Sequence, residues 1–171
     1  MCVFFASFFL RKKDEIILGG NSDKLINLVI LTILMIRKLK QKEISFIAKN
    51  YEIAMKKQFE KIGESPITKE CYEKILEKNF EDSLMFVFEE ESIKAFIWFV
   101  KEEDEINLEE VFVIKKGKGY GKKLMNFLID YAKKEKIKRI NGDVHFKNRE
   151  ALGFFKSLGF TERTIELSLD V

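Results

Sequence analysis

The stretch Lys115-Lys116-Gly117-Lys118-Gly119-Tyr120-Gly121-Lys122-Lys123 joins an apolar, β-branched segment to an amphipathic helical one, and few folds accommodate such a junction. Alternate glycines let the backbone turn its N–H groups toward a ligand without side-chain clash. The helix that follows adds four unpaired N–H donors and the positive end of its dipole. Five lysines in nine residues, with no acid among them, complete a local anion site suited to phosphates.

Composition narrows the classes that can carry this site. The 171 residues suffice for one domain with its own core, and 46% hydrophobic with 35% charged residues is the balance of a soluble globular chain. A net charge of +3 from 31 basic and 28 acidic residues is too even to indicate nucleic acid, so anion binding has to be local. Cys2 and Cys71 are far apart, which excludes a disulfide framework and a zinc knuckle and fits a reducing cytoplasm. No metal site is expected.

Residues 1–34 break the pattern of the rest. Met1 to Leu10 is apolar and is followed by Arg11-Lys12-Lys13, the reverse of the charge order in a secretory signal. Leu25 to Ile36 is apolar but shorter than the roughly 18 residues that suggest a membrane helix. A membrane-surface anchor, an added packing element and a translation start assigned too far upstream are the three readings. The last is favoured, because an ordinary domain opening begins at Met35, and the domain is accordingly placed at 35–171.

From there the periodicities are regular. Met35 to Leu39 reads as a short strand. Ile44, Ile47, Ala48, Tyr51, Met55 and Phe59 fall at helical spacing. Gly63 to Ile67 breaks this helix, and Thr68 is placed to cap a second one running to about Asn79. Leu84 to Phe88, Ile93 to Val100 and Ile106 to Ile114 read as an antiparallel meander that feeds the glycine loop. Leu124, Phe127, Leu128 and Tyr131 mark a third helix, and Arg139 to His145 a fifth strand. Asn148 can cap a fourth helix ending at Leu158-Gly159, with a final hairpin of Phe160 to Glu162 and Ile165 to Leu169. Tyr51, Tyr72 and Tyr131 lie on helix stripes and read as core. Phe86, Phe88, Phe96, Trp98, Phe99 and Phe112 read as sheet core whose end members could line an acceptor pocket.

Over roughly Met35 to Val171 the chain resembles the GCN5-related N-acetyltransferase (GNAT) family. Lys116-Gly117-Lys118-Gly119-Tyr120-Gly121 is similar to its acyl-CoA signature, at the end of a strand reading Leu108-Glu109-Glu110-Val111-Phe112-Val113. Asn148, Ala151, Phe155 and Gly159-Phe160 match its C-terminal pattern. The resemblance implies an α/β (α+β) fold: a mixed, mostly antiparallel sheet of six to seven strands with four helices, splayed between the fourth and fifth strands.

It also implies acetyl-CoA as cosubstrate and an amine acceptor, small molecule or protein. Val111 and Val113 would pair through their backbone with pantetheine, while Lys116, Gly117, Lys118, Gly119, Tyr120, Gly121 and Lys122 surround the pyrophosphate and Asn148 and Phe155 border the cofactor. Asn148 is equally explained as a helix cap. Glu109 is the expected proton acceptor and Glu110 the alternate, since successive strand residues face opposite sides. His145, the only histidine, is a lesser candidate beside the fifth strand.

Three departures bear on mechanism. Lys116 stands where Arg or Gln is usual, keeping charge without bidentate geometry. The loop from Val113 to Gly117 is shorter than the common form and lacks its proline, which loosens the register expected around Glu109. Phe155 replaces the tyrosine that usually protonates the departing thiolate. A noncatalytic acyl-CoA-binding protein is therefore the alternative to an N-acetyltransferase. A phosphate-loop NTPase is excluded because Lys122 is followed by Lys123, and the dinucleotide fingerprint fails because its third glycine would fall on Lys122. No nucleic-acid or membrane partner is expected, and the assembly is expected to be a monomer or homodimer.

Overall fold

The computed structural model describes residues 35–164. In chain order these form β1 (Ile36–Lys38), a 3-10 turn (Gln41–Glu43), α1 (Ile44–Ile62), α2 (Lys69–Asn79), β2 (Leu84–Glu89), β3 (Ile93–Lys101), β4 (Glu105–Val113), α3 (Tyr120–Lys134), β5 (Arg139–Gly142) and α4 (Arg149–Ser157). The Thr68 side chain accepts from the Cys71 N–H at 3.3 Å, so α2 starts where its cap was expected. The strands form one sheet in the order β1-β2-β3-β4-β5. Every neighbouring pair is antiparallel except β4 and β5, which run parallel.

Period-two alternation divides the sheet's side chains between two cores. On one face Met85, Val87, Phe96, Trp98 and Phe112 meet the α1–α2 stripe of Ile47, Ala48, Tyr51, Tyr72 and Leu76. On the other, Phe88, Ala95, Ile97, Phe99 and Ile106 meet Leu124, Met125, Leu128 and Ala132 of α3. The aromatic sheet residues thus divide as core, with Phe88, Phe96 and Phe99 fully buried. Hydrophobic burial on this scale is worth about 1.5–3 kcal/mol per large side chain and holds the sheet rigid beneath the site.

An irregularity interrupts the alternation along β4. Trp98 pairs with Glu110 but Phe99 pairs with Leu108, which leaves Glu109 as the extra residue of a β-bulge. Ile106 and Leu108 before the bulge, and Val111 and Val113 after it, consequently share the α3 face.

Two expectations are corrected. The fifth strand ends at Gly142, not His145, because β5 leaves β4 after the Leu108–Gly142 pair and has no ladder to continue. The described residues hold five strands, and Phe160 to Glu162 is not one of them. That segment is held against α4 by Phe160 packing on Phe155 and by the Lys156–Glu162 ion pair. The expected partner strand, Ile165 to Leu169, and the extension 1–34 lie outside the described residues.

Phe96 is 0% exposed at the centre of the α1/α2 core. Phe96→Ala is expected to cost about 3–5 kcal/mol, read as a lower urea midpoint with an unchanged m-value.

Candidate active site

The site begins where β4 outruns β5. The ladder ends at Leu108–Gly142, and Glu109 to Val113 continue without a β5 partner. The Ile114 N–H donates to the Lys94 C=O at 2.9 Å, so in the register of β3 and β4 the even residues Glu110 and Phe112 turn their backbone groups toward β3. Val111 and Val113 therefore present theirs to the gap. A strand edge of this kind accepts an extended, amide-bearing ligand as an added strand.

The lysine loop closes one end of the gap. Gly117 and Gly119 have φ of +81° and +74°, a region in which an L side chain costs about 1–2 kcal/mol, and no atom lies within 4 Å of where a Cβ would sit at either. Gly119 is the N-cap of α3, and the first helical bond runs from the Lys123 N–H to its carbonyl at 3.0 Å. The N–H groups of Tyr120, Gly121 and Lys122 have no helical acceptor and point outward with the dipole behind them. Lys115, Lys118 and Lys122 line the same cleft. Lys116 instead reaches the first turn of α4, its Nζ 2.8 Å from both Glu150 oxygens. The Tyr120 hydroxyl turns away to Glu90 at 3.0 Å.

The two glutamates of β4 part company at the bulge. Glu109 is exposed on the cleft wall. Glu110 is half-buried, and its Oε1 accepts from the Val111 N–H at 3.0 Å, with the Tyr51 hydroxyl near the same carboxylate. Burial pushes the Glu110 carboxyl up to about 7, against the downward pull of the Tyr51 and Val111 hydrogen bonds. Tyr51, buried on α1, stacks on Tyr72 of α2 with centroids 3.8 Å apart. Burial and the nearby carboxylate hold both phenols above their ordinary range.

The far wall comes from α4 and the loop before it. The Asn148 side chain caps α4 by accepting from the Ala151 N–H at 3.1 Å, and the residue also borders the cleft. Phe155 packs among Phe154 and Phe160 with one side on the cleft. His145 lies 3.6 Å from a Glu64 oxygen, and Lys147 Nζ donates to the Ile62 C=O at 3.0 Å, tying this loop to the end of α1. The whole cleft has a volume of about 620 Å³, within the range of small-ligand sites. Among the described residues no group of three or more acids, histidines or cysteines could hold a metal ion, and no helix is long and apolar enough to cross a membrane.

The family model described as Acetyltransferase (GNAT) family matches residues 47–160, which takes in α1, the bulged strand, the lysine loop and α4. The chain belongs to the GNAT acetyltransferase family. Solved structures agree at the level of fold. The PaiA N-acetyltransferase of Thermoplasma acidophilum, in complex with coenzyme A, superposes with a TM-score of 0.65 at 18% identity, covering 77% of this chain and 91% of that one. An acetyltransferase of Thermus thermophilus gives 0.63 at 17%, covering 74% and 85%. An N-acetyltransferase of Staphylococcus aureus gives 0.60 at 22%, covering 74% and 82%. A search among curated proteins finds no match.

Within this GNAT domain the cleft gathers Glu109, Glu110, Val111, Val113, the loop from Lys116 to Lys122, Asn148 and Phe155 along its walls. Tyr51 is the residue that sequence reasoning assigned to core alone. It is core, yet its hydroxyl meets Glu110, and helical periodicity carries no signal for a contact between such distant positions.

The raised Glu110 carboxyl makes stability depend on pH with a definite sign. Below its ordinary value of 4.5 the group is neutral folded or unfolded, and the stability it contributes there is lost as pH rises through about 7. Glu110→Gln removes that loss, so its melting temperature relative to the parent protein is expected to be higher at pH 8 than at pH 4.5. A difference that stays constant between the two pH values contradicts the assignment.

Proposed function

We propose that the protein transfers an acetyl group from acetyl-CoA to a primary amine by direct attack within a ternary complex. The observation that carries this reading is the unpaired β4 edge leading directly into the lysine loop at the start of α3. The residues present suit the cosubstrate: positive-φ glycines with open space above them at the phosphate end, and a β4 edge without a strand partner along the wedge.

Acetyl-CoA, when bound, supplies an acyl thioester with an alkyl thiol as leaving group. The Tyr120, Gly121 and Lys122 N–H groups, with the Lys118 and Lys122 side chains, hold the diphosphate. Val111 and Val113 align the amide-bearing arm along β4, and a wedge-facing N–H of that strand stabilises negative charge developing on the thioester oxygen. Glu110 takes the proton that the amine sheds as its C–N bond forms, while the C–S bond breaks and the sulfur keeps the electron pair. A carboxyl near 7 matches that task at neutral pH. Glu109, exposed at the bulge, faces the acceptor without being the base.

Phe155 brings no proton to the departing sulfur. An alkyl thiol with a pKa of roughly 8.5 leaves unassisted, so rate is reduced and transfer persists. Phe155 is also the observation favouring the second reading, an acyl-CoA-binding protein without turnover.

Thiol release from acetyl-CoA against a panel of amines and peptides, beside a calorimetric titration, separates the two. Acetyl-CoA is expected to bind and raise the melting temperature. For the amine that turns over, Glu110→Gln is expected to lower kcat/KM by about 10²- to 10⁴-fold with acetyl-CoA affinity retained, whereas Glu109→Gln retains most activity. The acid limb of the parent profile breaks near pH 7. Binding without release across the whole panel decides for the noncatalytic reading, and absence of binding removes both.

A further inference from the structure

Two donors in the α1/α2 core have no acceptor. The Tyr72 hydroxyl and the Trp98 indole N–H are buried without a hydrogen-bond partner, in residues only 3% and 8% exposed. Each unmet buried donor costs about 1–3 kcal/mol, and both residues belong to the core on the sheet face that carries the Glu110 side chain. Trp98 is the cross-strand partner of Glu110, so the two side chains leave the sheet on one face about 5 Å apart at Cβ. Tyr72 lies flat against Tyr51, with ring planes 10° apart, and the Tyr51 hydroxyl lies near Glu110.

The carboxylate, for its part, occupies a donor that the proposed ligand needs. Glu110 Oε1 accepts from the Val111 N–H, which faces the gap where β5 has left β4. A ligand strand cannot pair with that amide until the carboxylate withdraws. A carboxylate offers about four acceptor positions and turns about its own side-chain bonds, with Tyr51 beside it throughout.

We propose that the Tyr72 hydroxyl and the Trp98 indole N–H are a second seat for the Glu110 carboxylate, taken when acetyl-CoA claims the Val111 N–H. Tyr72 and Trp98 are then positioning residues of the general base. In the free protein Glu110 caps the exposed strand edge and the two core donors wait. In the complex those donors replace the one that Glu110 surrenders, so the carboxylate is never stripped while buried. The inference rests on the proposed acetyl-CoA site.

The test is a thermodynamic cycle on acetyl-CoA binding, which needs no acceptor. Tyr72→Phe with Trp98→Phe is expected to weaken acetyl-CoA about tenfold, the worth of one hydrogen bond to a charged group. For Tyr72→Phe alone the melting temperature of the free protein should not fall, since the removed hydroxyl makes no bond there. In a Glu110→Ala background the same pair of substitutions should leave acetyl-CoA affinity unchanged. Equal weakening in both backgrounds, which a packing role would produce, overturns the proposal, as does no weakening in either. If Trp98→Phe compromises folding, Tyr72→Phe alone in both backgrounds gives the same decision. Failure of the unsubstituted protein to bind acetyl-CoA is a different result and overturns the site itself.

Discussion

Beyond the Leu108–Gly142 pair β4 and β5 no longer bond, and the rest of the site follows from how that break is made. A parallel pair normally continues as far as both strands allow, because each unpaired amide on a buried edge is costly. Here the bulge at Glu109 re-aims β4 and the helix α4 takes over the far wall, so the edge remains open over Val111 and Val113. The break is tolerable because the two cores on either side are anchored elsewhere: β2 and β3 carry the fully buried Phe88, Phe96 and Phe99, and Ile106 buries the first half of β4.

Charge is distributed along the gap in a matching way. The cleft lysines cluster at the bend before α3 and in its first turn, where they reinforce a helix dipole and three outward N–H groups. Glu110 sits farther along, at the edge of the aromatic core, where desolvation disfavours its anion and two hydrogen bonds restore part of the loss. One end thus favours a fixed negative charge, and the other holds a group free to gain or lose a proton near neutrality.

Most of the fold was legible because its signals are local. Alternation over β2 to β4, the Thr68 and Asn148 caps, and the glycine loop each specify an element within a few residues. The site was legible to the extent that it is built from one strand and one loop. What was not legible depends on packing between remote segments. The bulge inverts the parity by which successive β4 residues alternate between faces, and nothing in Leu108-Glu109-Glu110-Val111 announces it. The pairing of Tyr51 with Glu110 requires knowing that α1 crosses β4. The diversion of Lys116 to Glu150 requires knowing that α4 returns to the loop. The early end of β5 is a property of the pair, not of the residues Asp143 to His145.

The cross-ties from the loop after β5 to the end of α1, Lys147 to the Ile62 carbonyl and His145 beside Glu64, act as a strut across the open side. These ties join the β5 side of the gap to α1, whose Tyr51 also packs on Phe112 of β4, so both walls are tied to one helix. A change at the C-terminal end of α1 is therefore felt on both sides of the gap at once.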